Sequence, residues 1–154
     1  MERISLTGVA PFDGPLIGLE DLLKAENEGA AALGLAVYVP VDADYQQLAP
    51  FLSHLRLVEI RFDAFTDGRG FTLARRLRRD LGYKGEIRVT GPVLPDQALF
   101  LVRTGVDTVD VAPERSEAFL AALGRFGVFY QRAGDQMSSI ADLRQKRSVE
   151  RLVS

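Results

Sequence analysis

The stretch FTDGRGFTLARRLRRDLGYKGEIRVTG, residues 65–91, contains a glycine-rich loop, a helical pattern and a strand pattern in that order. Apolar residues recur at helical spacing between Gly70 and Leu81, which predicts a helix over 70–81. Gly82 follows directly, as is common after the end of a helix. Alternating residues then predict a strand over Glu86–Thr90. A loop, a helix and a strand in this order are typical of an α/β fold.

The same alternation extends along most of the chain. Four more segments predict strands: Leu35–Pro40, Leu57–Phe62, Thr108–Val111 and Val128–Gln131. The helical patterns beside them are Asp44–Leu55, Pro95–Thr104 and Arg115–Arg125. This spacing predicts βαβ units in one α/β domain over 1–154, with a core over 35–131. Residues 1–34, which include one helical pattern, form an N-terminal covering segment, and residues 132–154 form a terminal helix or tail.

Three of the predicted strands carry apolar residues on one face only. Fully buried parallel strands read as continuous apolar runs. Here charged or hydroxyl residues alternate with the apolar ones at Glu59, Arg61, Glu86, Arg88, Thr90, Thr108 and Asp110. We therefore predict a parallel sheet of four to five βα units, curled or like part of a barrel, with helices mainly on one face. Residues 1–34, the C-terminal residues or a second subunit would cover the polar face, unless the charges lie at strand ends in water.

The composition narrows the functional classes. The chain has no cysteine and one histidine, so thiol chemistry and a multi-histidine metal site are excluded within one chain. We predict no metal and no intrinsic cofactor, and whether a nucleotide or flavin is borrowed stays open because no nucleotide-binding motif is present. A net charge of −2 gives little support to nucleic-acid binding. The chain contains no apolar run long enough to span a membrane and no secretory pattern at its start, so we predict a cytoplasmic protein.

The opening stretch is also a candidate anion site. Between Arg69 and Arg88 there are seven basic residues and two acidic ones. In parallel α/β folds, ligands bind at the carboxyl ends of the strands, where helix N-termini attract anions. We therefore predict an anion site formed by Asp67, Gly68, Arg69, Gly70, Arg88, Asp96 and Gln97. In the alternative interpretation, Asp67 caps a helix, the other arginines face solvent and Arg88 belongs to a structural ion-pair network.

Carboxylates on the polar face are candidates for a different chemistry. Glu59, Glu86 and Asp110 alternate with apolar residues on three predicted strands. If two of them were adjacent, they could act as acid and base. Arg61 and Arg88 lie on the same strands, so ion pairing is the competing hypothesis.

Many residues of this stretch match a known family pattern. They are Phe65, Asp67–Gly70, Ala74, Arg75, Leu77, Arg78, Gly82–Glu86, Arg88, Gly91, Val93, Leu94, Asp96 and Gln97, followed by Arg103, Gly105 and Asp107. With them, the chain resembles the bacterial family called domain of unknown function 934, often labelled a "probable oxidoreductase involved in sulfite reduction". The resemblance covers about residues 33–131.

The resemblance implies an accessory role in assimilatory sulfite reduction, with sulfite reductase or another sulfur-assimilation enzyme as a partner. Family members often carry cysteine where this chain has Thr104, and we interpret the threonine as evidence that the position is structural. Two alternatives stay open. One is an oxidoreductase that uses a borrowed cofactor at the polar face, and the other is a dimeric structural or adaptor module.

Overall fold

The computed structural model describes residues 1–27 and 35–124 as one mixed α/β unit. The elements in these two ranges are β1 (Glu2–Ser5), β2 (Leu16–Gly18), α1 (Leu19–Asn27), β3 (Leu35–Pro40), β4 (Leu55–Arg61), α2 (Arg69–Arg79), β5 (Glu86–Thr90), α3 (Ala98–Thr104), β6 (Thr108–Val111) and α4 (Pro113–Leu123). Short 3-10 helices occupy Tyr45–Leu48 and Pro95–Gln97. No helix in these ranges is long and apolar enough to cross a membrane.

The strands form one open sheet in the order β1-β6-β5-β4-β3-β2. Strands β2 to β6 are parallel neighbours in chain order, and β1 is antiparallel to β6. A doubly wound sheet reverses its strand order at a switch point, whereas a (β/α) barrel does not. The observed order is thus that of a barrel piece whose sheet stays unclosed. The predicted α/β fold with a curled, mostly parallel sheet is confirmed.

The N-terminal residues supply both edges of this sheet. Strand β1 pairs with β6 at one edge, and β2 pairs with β3 at the other. Residues 6–15, here called the strap, join these two edge strands. The edges are separated by five strand spacings of about 4.8 Å, or roughly 24 Å. Ten residues reach about 33 Å, so the strap can cross the sheet. Neither edge strand was predicted, because both are short and lie among turn residues.

The hydrophobic core lies between one face of the sheet and the helices. Residues on the inward side of the strands, including Val58, Ile60, Ile87, Val89 and Val109, are fully buried. The four α-helices and the first 3-10 helix each add a fully buried side chain to the same core: Leu22 of α1, Leu48 of the 3-10 helix, Leu77 of α2, Leu101 of α3 and Phe119 of α4. The helices therefore share one face of the sheet, as predicted. The opposite face carries the predicted polar residues.

One predicted helix, Asp44–Leu55, was wrong. The structure has a 3-10 helix at Tyr45–Leu48 followed by turns. Asp44 still caps the segment, and its side chain accepts a hydrogen bond from the N–H of Gln46 at 3.0 Å. Pro50 explains the early end, because proline lacks the N–H that would donate the next hydrogen bond of a continuing helix. The predicted strand Val128–Gln131 and the C-terminal tail lie outside the described residues.

Glycines at the ends of α2 and β5 provide a matched test of this fold. Gly91 has a φ of +107°, and a Cβ there would overlap the carbonyl oxygen of Phe62. Gly82 has a φ of +63° with open space around its Cα. We expect Gly82→Ala to cost about 1–2 kcal/mol of unfolding free energy from backbone strain alone. Gly91→Ala should cost more, roughly 3 kcal/mol or above. Equal losses in urea unfolding would contradict the observed backbone overlap.

Candidate functional site

Three ion pairs lie on the polar face of the sheet. Their N–O distances are 2.7 Å for Arg3 with Asp110, 2.9 Å for Arg88 with Glu86 and 2.9 Å for Arg61 with Glu59. A longer contact of 3.9 Å between Arg88 and Glu59 links two of the pairs. Each pair is neutral, and the Asp110 carboxylate raises the pKa of Arg3 through a side-chain hydrogen bond. All three predicted acid–base carboxylates therefore have an arginine partner.

The strap contacts the polar face near the amino end of β5 through Phe12. The Phe12 N–H donates to Glu86 Oε2 at 2.6 Å, and Arg88 Nη2 donates to the Phe12 carbonyl oxygen at 2.6 Å. The Thr108 hydroxyl donates to the other carboxylate oxygen of Glu86. Arg88 is only 3% exposed, and Glu86 is 6% exposed. Both charges are thus buried, and both are hydrogen-bonded to the strap, as buried charges require.

The structure separates the two arginines that were predicted to clamp an anion together. Arg88 lies on the polar face, whereas Arg69 begins α2, which packs against the opposite face. Arg69 pairs with Asp67 at 2.7 Å and lies 3.9 Å from Asp42. Among the described residues, Arg69 and Arg88 have no partner in common. The two arginines belong to different environments, one exposed and one buried.

The DGRG loop, residues Asp67–Gly70, positions the Asp67 side chain against the start of α2. Asp67 Oδ1 accepts the backbone N–H of Arg69 at 3.1 Å and its Nε–H at 2.9 Å. The side-chain hydrogen bond from Arg69, followed by the backbone one, lowers the pKa of Asp67. Gly70 is required for packing, because a Cβ there would overlap the ring of Phe62. Asp67 therefore accepts hydrogen bonds at the N-terminus of α2, and the Arg69 side chain extends from that terminus.

A groove of about 670 Å³ lies at the carboxyl ends of β3 and β4. Its walls are Val41, Asp42, Ala43 and Tyr45 after β3, and Gly68, Arg69, Thr72, Leu73 and Arg76 of the α2 side. The Arg76 guanidinium lies over the Tyr45 ring at 5.2 Å. Of the predicted anion-site residues, Gly68 and Arg69 line this groove. Arg76 was missed, although a separation of seven residues places it on the same face of α2 as Arg69.

Asp96 and Gln97 lie in the loop after β5. The Gln97 side-chain amide donates to the Phe65 carbonyl oxygen at 2.7 Å, and its oxygen accepts the Leu94 N–H at 3.0 Å. Gln97 therefore ties this loop to the DGRG loop. Asp96 is exposed in the 3-10 helix. Neither side chain lines the groove.

Thr104 has a structural environment, and the residue types that bind metal ions are not clustered in the described ranges. The Thr104 hydroxyl is buried at the end of α3 and lies 3.0 Å from the Phe100 carbonyl oxygen and 2.9 Å from that of Leu101. These contacts support a structural role for the position. Within 1–27 and 35–124, no three histidine, aspartate or glutamate side chains are grouped so that they could hold a metal ion.

Arg88→Ala tests the buried network. Removal of Arg88 leaves the Glu86 charge buried without its cation, and such a change costs about 3–5 kcal/mol. Arg75→Ala on the exposed face of α2 is the control, with an expected change within about 0.5 kcal/mol. Unfolding in urea measures both variants. A loss for Arg88→Ala no larger than that of the control would show that Glu86 is not buried against it.

The Asp67–Arg69 pair predicts a pH dependence. Because its folded pKa is lowered, Asp67 contributes stability that is present above the ordinary aspartate pKa and is lost as the pH falls through the folded value. A ¹³C NMR titration of the carboxyl group should give a pKa below the ordinary range. Arg69→Ala should return it to that range, and Arg75→Ala should leave it lowered. An unchanged pKa in Arg69→Ala would refute the assigned cause.

Comparison with known proteins identifies the family and no more specific relative. No curated protein matches the chain. The family model described as "Bacterial protein of unknown function (DUF934)" matches residues 36–141, which include most of β3, all of β4 to β6, the groove and the ion pairs of Glu59 and Glu86. The chain therefore belongs to this DUF934 family.

Proposed function

We propose that the protein is an accessory protein of assimilatory sulfite reduction that binds an oxyanion-bearing ligand in the groove beside the DGRG loop. The single observation that carries the binding site is the pair of arginines, Arg69 and Arg76, on one wall of the groove. The sulfur pathway rests on the resemblance of the DGRG region to its family. A volume of about 670 Å³ lies within the range of small-molecule sites.

The groove can exchange its internal ion pair for a ligand. Arg69 is 62% exposed, so water screens its attraction to Asp67 and Asp42. An oxyanion that binds the guanidinium fork bidentately gains directional hydrogen bonds. Arg76, stacked near Tyr45, supplies a second cation two turns further along α2. An anion at the start of α2 also benefits from the helix dipole.

An accessory role agrees with the ion pairing of the carboxylates on the polar face. Glu59, Glu86 and Asp110 are each held by an arginine at less than 3 Å. An acid or base must be able to exchange a proton with a substrate. These carboxylates are instead used in ion pairs, two of them buried. The oxidoreductase alternative with a borrowed nucleotide or flavin would need a different acid–base group.

The exposed face of α2 supports a second candidate function, docking to an acidic partner. Arg75 and Arg79 are exposed, and neither contacts a carboxylate in the parts of the chain that are described. A basic helix face of this kind can steer association with an acidic surface. The partner would be sulfite reductase or another sulfur-assimilation enzyme. A homodimer is the remaining adaptor alternative.

A thermal-shift panel tests the groove. Sulfite, sulfate, phosphate, adenine nucleotides and flavins are added to the purified protein. A ligand at about 100 times its dissociation constant adds roughly 2.7 kcal/mol, which raises the melting temperature by several degrees. The shift should disappear in the double variant Arg69→Ala, Arg76→Ala. It should persist in Arg75→Ala, Arg79→Ala, which removes the same charge from the same helix outside the groove.

The outcomes separate the two candidates. A shift that persists in the groove variant would overturn the groove as the site. A flat panel, combined with salt-sensitive binding to purified sulfite reductase that requires Arg75 and Arg79, would favour the adaptor function. For the pathway itself, deletion of the gene should impair growth on sulfate or sulfite as the sulfur source but not on cysteine. Unimpaired growth on all three would refute the pathway.

A further inference from the structure

A second cavity, of about 700 Å³, lies at the other end of the strands from the groove, beside the amino ends of β4 and β5. One wall consists of Ala49, Leu52, Ser53, Leu55 and Arg56, and the other of Leu81, Gly82, Tyr83, Lys84 and Gly85. The second wall includes the first four residues of the GYKGE motif, Gly82–Glu86, which is part of the family resemblance. Neither the ion pairs of the polar face nor the DGRG groove explains the Lys84 of this motif.

The charge of this cavity is unbalanced. Arg56 and Lys84 line it, and no aspartate or glutamate does. In the described part of the chain, neither cation has a carboxylate within ion-pair distance. The arginines of the polar face, in contrast, are each matched by an acid. The Glu86 carboxylate, next in sequence to this wall, is directed to the polar face and bonded there to Arg88.

The wall that carries Lys84 is held rigidly from behind by Arg78. The Arg78 guanidinium donates to the carbonyl oxygens of Tyr83 at 2.7 Å, Gly85 at 2.8 Å and Gly105 at 2.8 Å. It also pairs with Asp107, which in turn accepts the N–H of Ile87. One side chain thus fixes two carbonyl groups of the loop to the α3–β6 turn. Because the backbone of this loop is already fixed, a ligand that binds Lys84 does not have to order that backbone.

Tyr83 connects the two walls. Its buried hydroxyl donates to the Leu55 carbonyl oxygen at 3.2 Å, and burial raises the pKa of the phenol. A Cβ at Gly85 would overlap this phenol, so glycine is required there. Gly82 has a φ of +63°, which glycine adopts without strain. The residues around Lys84 are therefore explained by packing, whereas Lys84 itself is exposed.

Arg56 is directed by an irregularity of β4. Leu35 pairs with Leu55 and Ala36 with Leu57, so Arg56 is an extra residue in the ladder. Bulges of this kind redirect a side chain and are frequent beside functional sites. The Arg56 guanidinium lies 4.7 Å from the centre of the Phe12 ring. This contact with the strap orients the cation without neutralising it.

We propose that this cavity binds an organic anion, a compact apolar group that carries a carboxylate, sulfonate or phosphate. The anionic group binds between Arg56 and Lys84. The apolar group packs against Leu52, Leu81 and Tyr83 on the walls. The site is separate from the DGRG groove, since the two cavities share no lining residue. It is therefore independent of the function proposed above.

Amide NMR titrations of the full chain with benzoate, benzenesulfonate and phenyl phosphate test this site. We expect shifts at Ser53, Arg56, Lys84 and Gly85. Lys84→Gln removes a charge-assisted contact on an exposed loop and should weaken binding about tenfold. Arg56→Gln should have a similar effect. Lys24→Gln on α1 and Arg75→Gln on α2 are the charge-matched controls and should bind like the wild type.

The apolar part of the ligand is tested separately. Inorganic phosphate lacks it and should bind at least about tenfold more weakly than phenyl phosphate. The proposal is overturned if none of the three probes shifts these amides at millimolar concentration, or if Lys84→Gln and Lys24→Gln bind equally. Equal affinity for phosphate and phenyl phosphate overturns the amphipathic ligand class. Arg69→Ala, Arg76→Ala should leave this titration unchanged, so failure of the groove is distinguishable from failure of this site.

Discussion

The hydrogen bonds between Phe12 and the buried Glu86–Arg88 pair connect the main parts of the structure. Arg88 donates to the carbonyl oxygen of Phe12, and the backbone N–H of Phe12 donates to Glu86. The strap is therefore fixed through Phe12 to β5, one of the two central strands, and its ends continue into the two edge strands. A sheet with one polar face inside a single chain needs its charges paired and its backbone groups satisfied. This arrangement does both.

The strap covers Glu86 and Arg88, and the two proposed binding surfaces lie at the ends of the strands. The arginine run of α2 shows the division of roles. Arg78 is turned inward and holds the loop before β5. Arg76 lines the groove at the carboxyl edge, and Arg75 and Arg79 face solvent. The positive charge of this region is thus divided among a structural contact (Arg78), a groove proposed to bind an anion (Arg76) and an exposed surface (Arg75 and Arg79).

The predictable part of the fold was the part with local periodicity. Strands β3 to β6 and helix α2 follow from alternation and helical spacing, and so does the presence of a polar face. The edge strands β1 and β2 could not be predicted, because four and three residues among turns give no periodic pattern. The antiparallel pairing of β1 with β6 could not be predicted either, since it joins residues as distant as Glu2 and Val111.

The candidate site was predicted in part for the same reason. Gly68 and Arg69 were found because a glycine-flanked arginine before a helix is a local signal. The placement of Arg88 depended on Phe12, 76 residues away in sequence, and that of Arg78 on Asp107, 29 residues away. Such contacts leave no mark in the spacing of neighbouring residues. The competing interpretation of Arg88, a structural ion-pair network, describes the contacts that the structure shows.

The most direct test of this account is native-state hydrogen exchange at the Phe12 amide, which NMR can monitor in the full chain. If the strap is fixed to the polar face, this amide should exchange as slowly as the core amides of β5, since both would require global opening. Thr7 and Gly8, in the same strap but away from Glu86, should exchange faster. Rapid exchange at Phe12, at the rate of an unstructured peptide, would contradict the account and make the polar face an accessible surface.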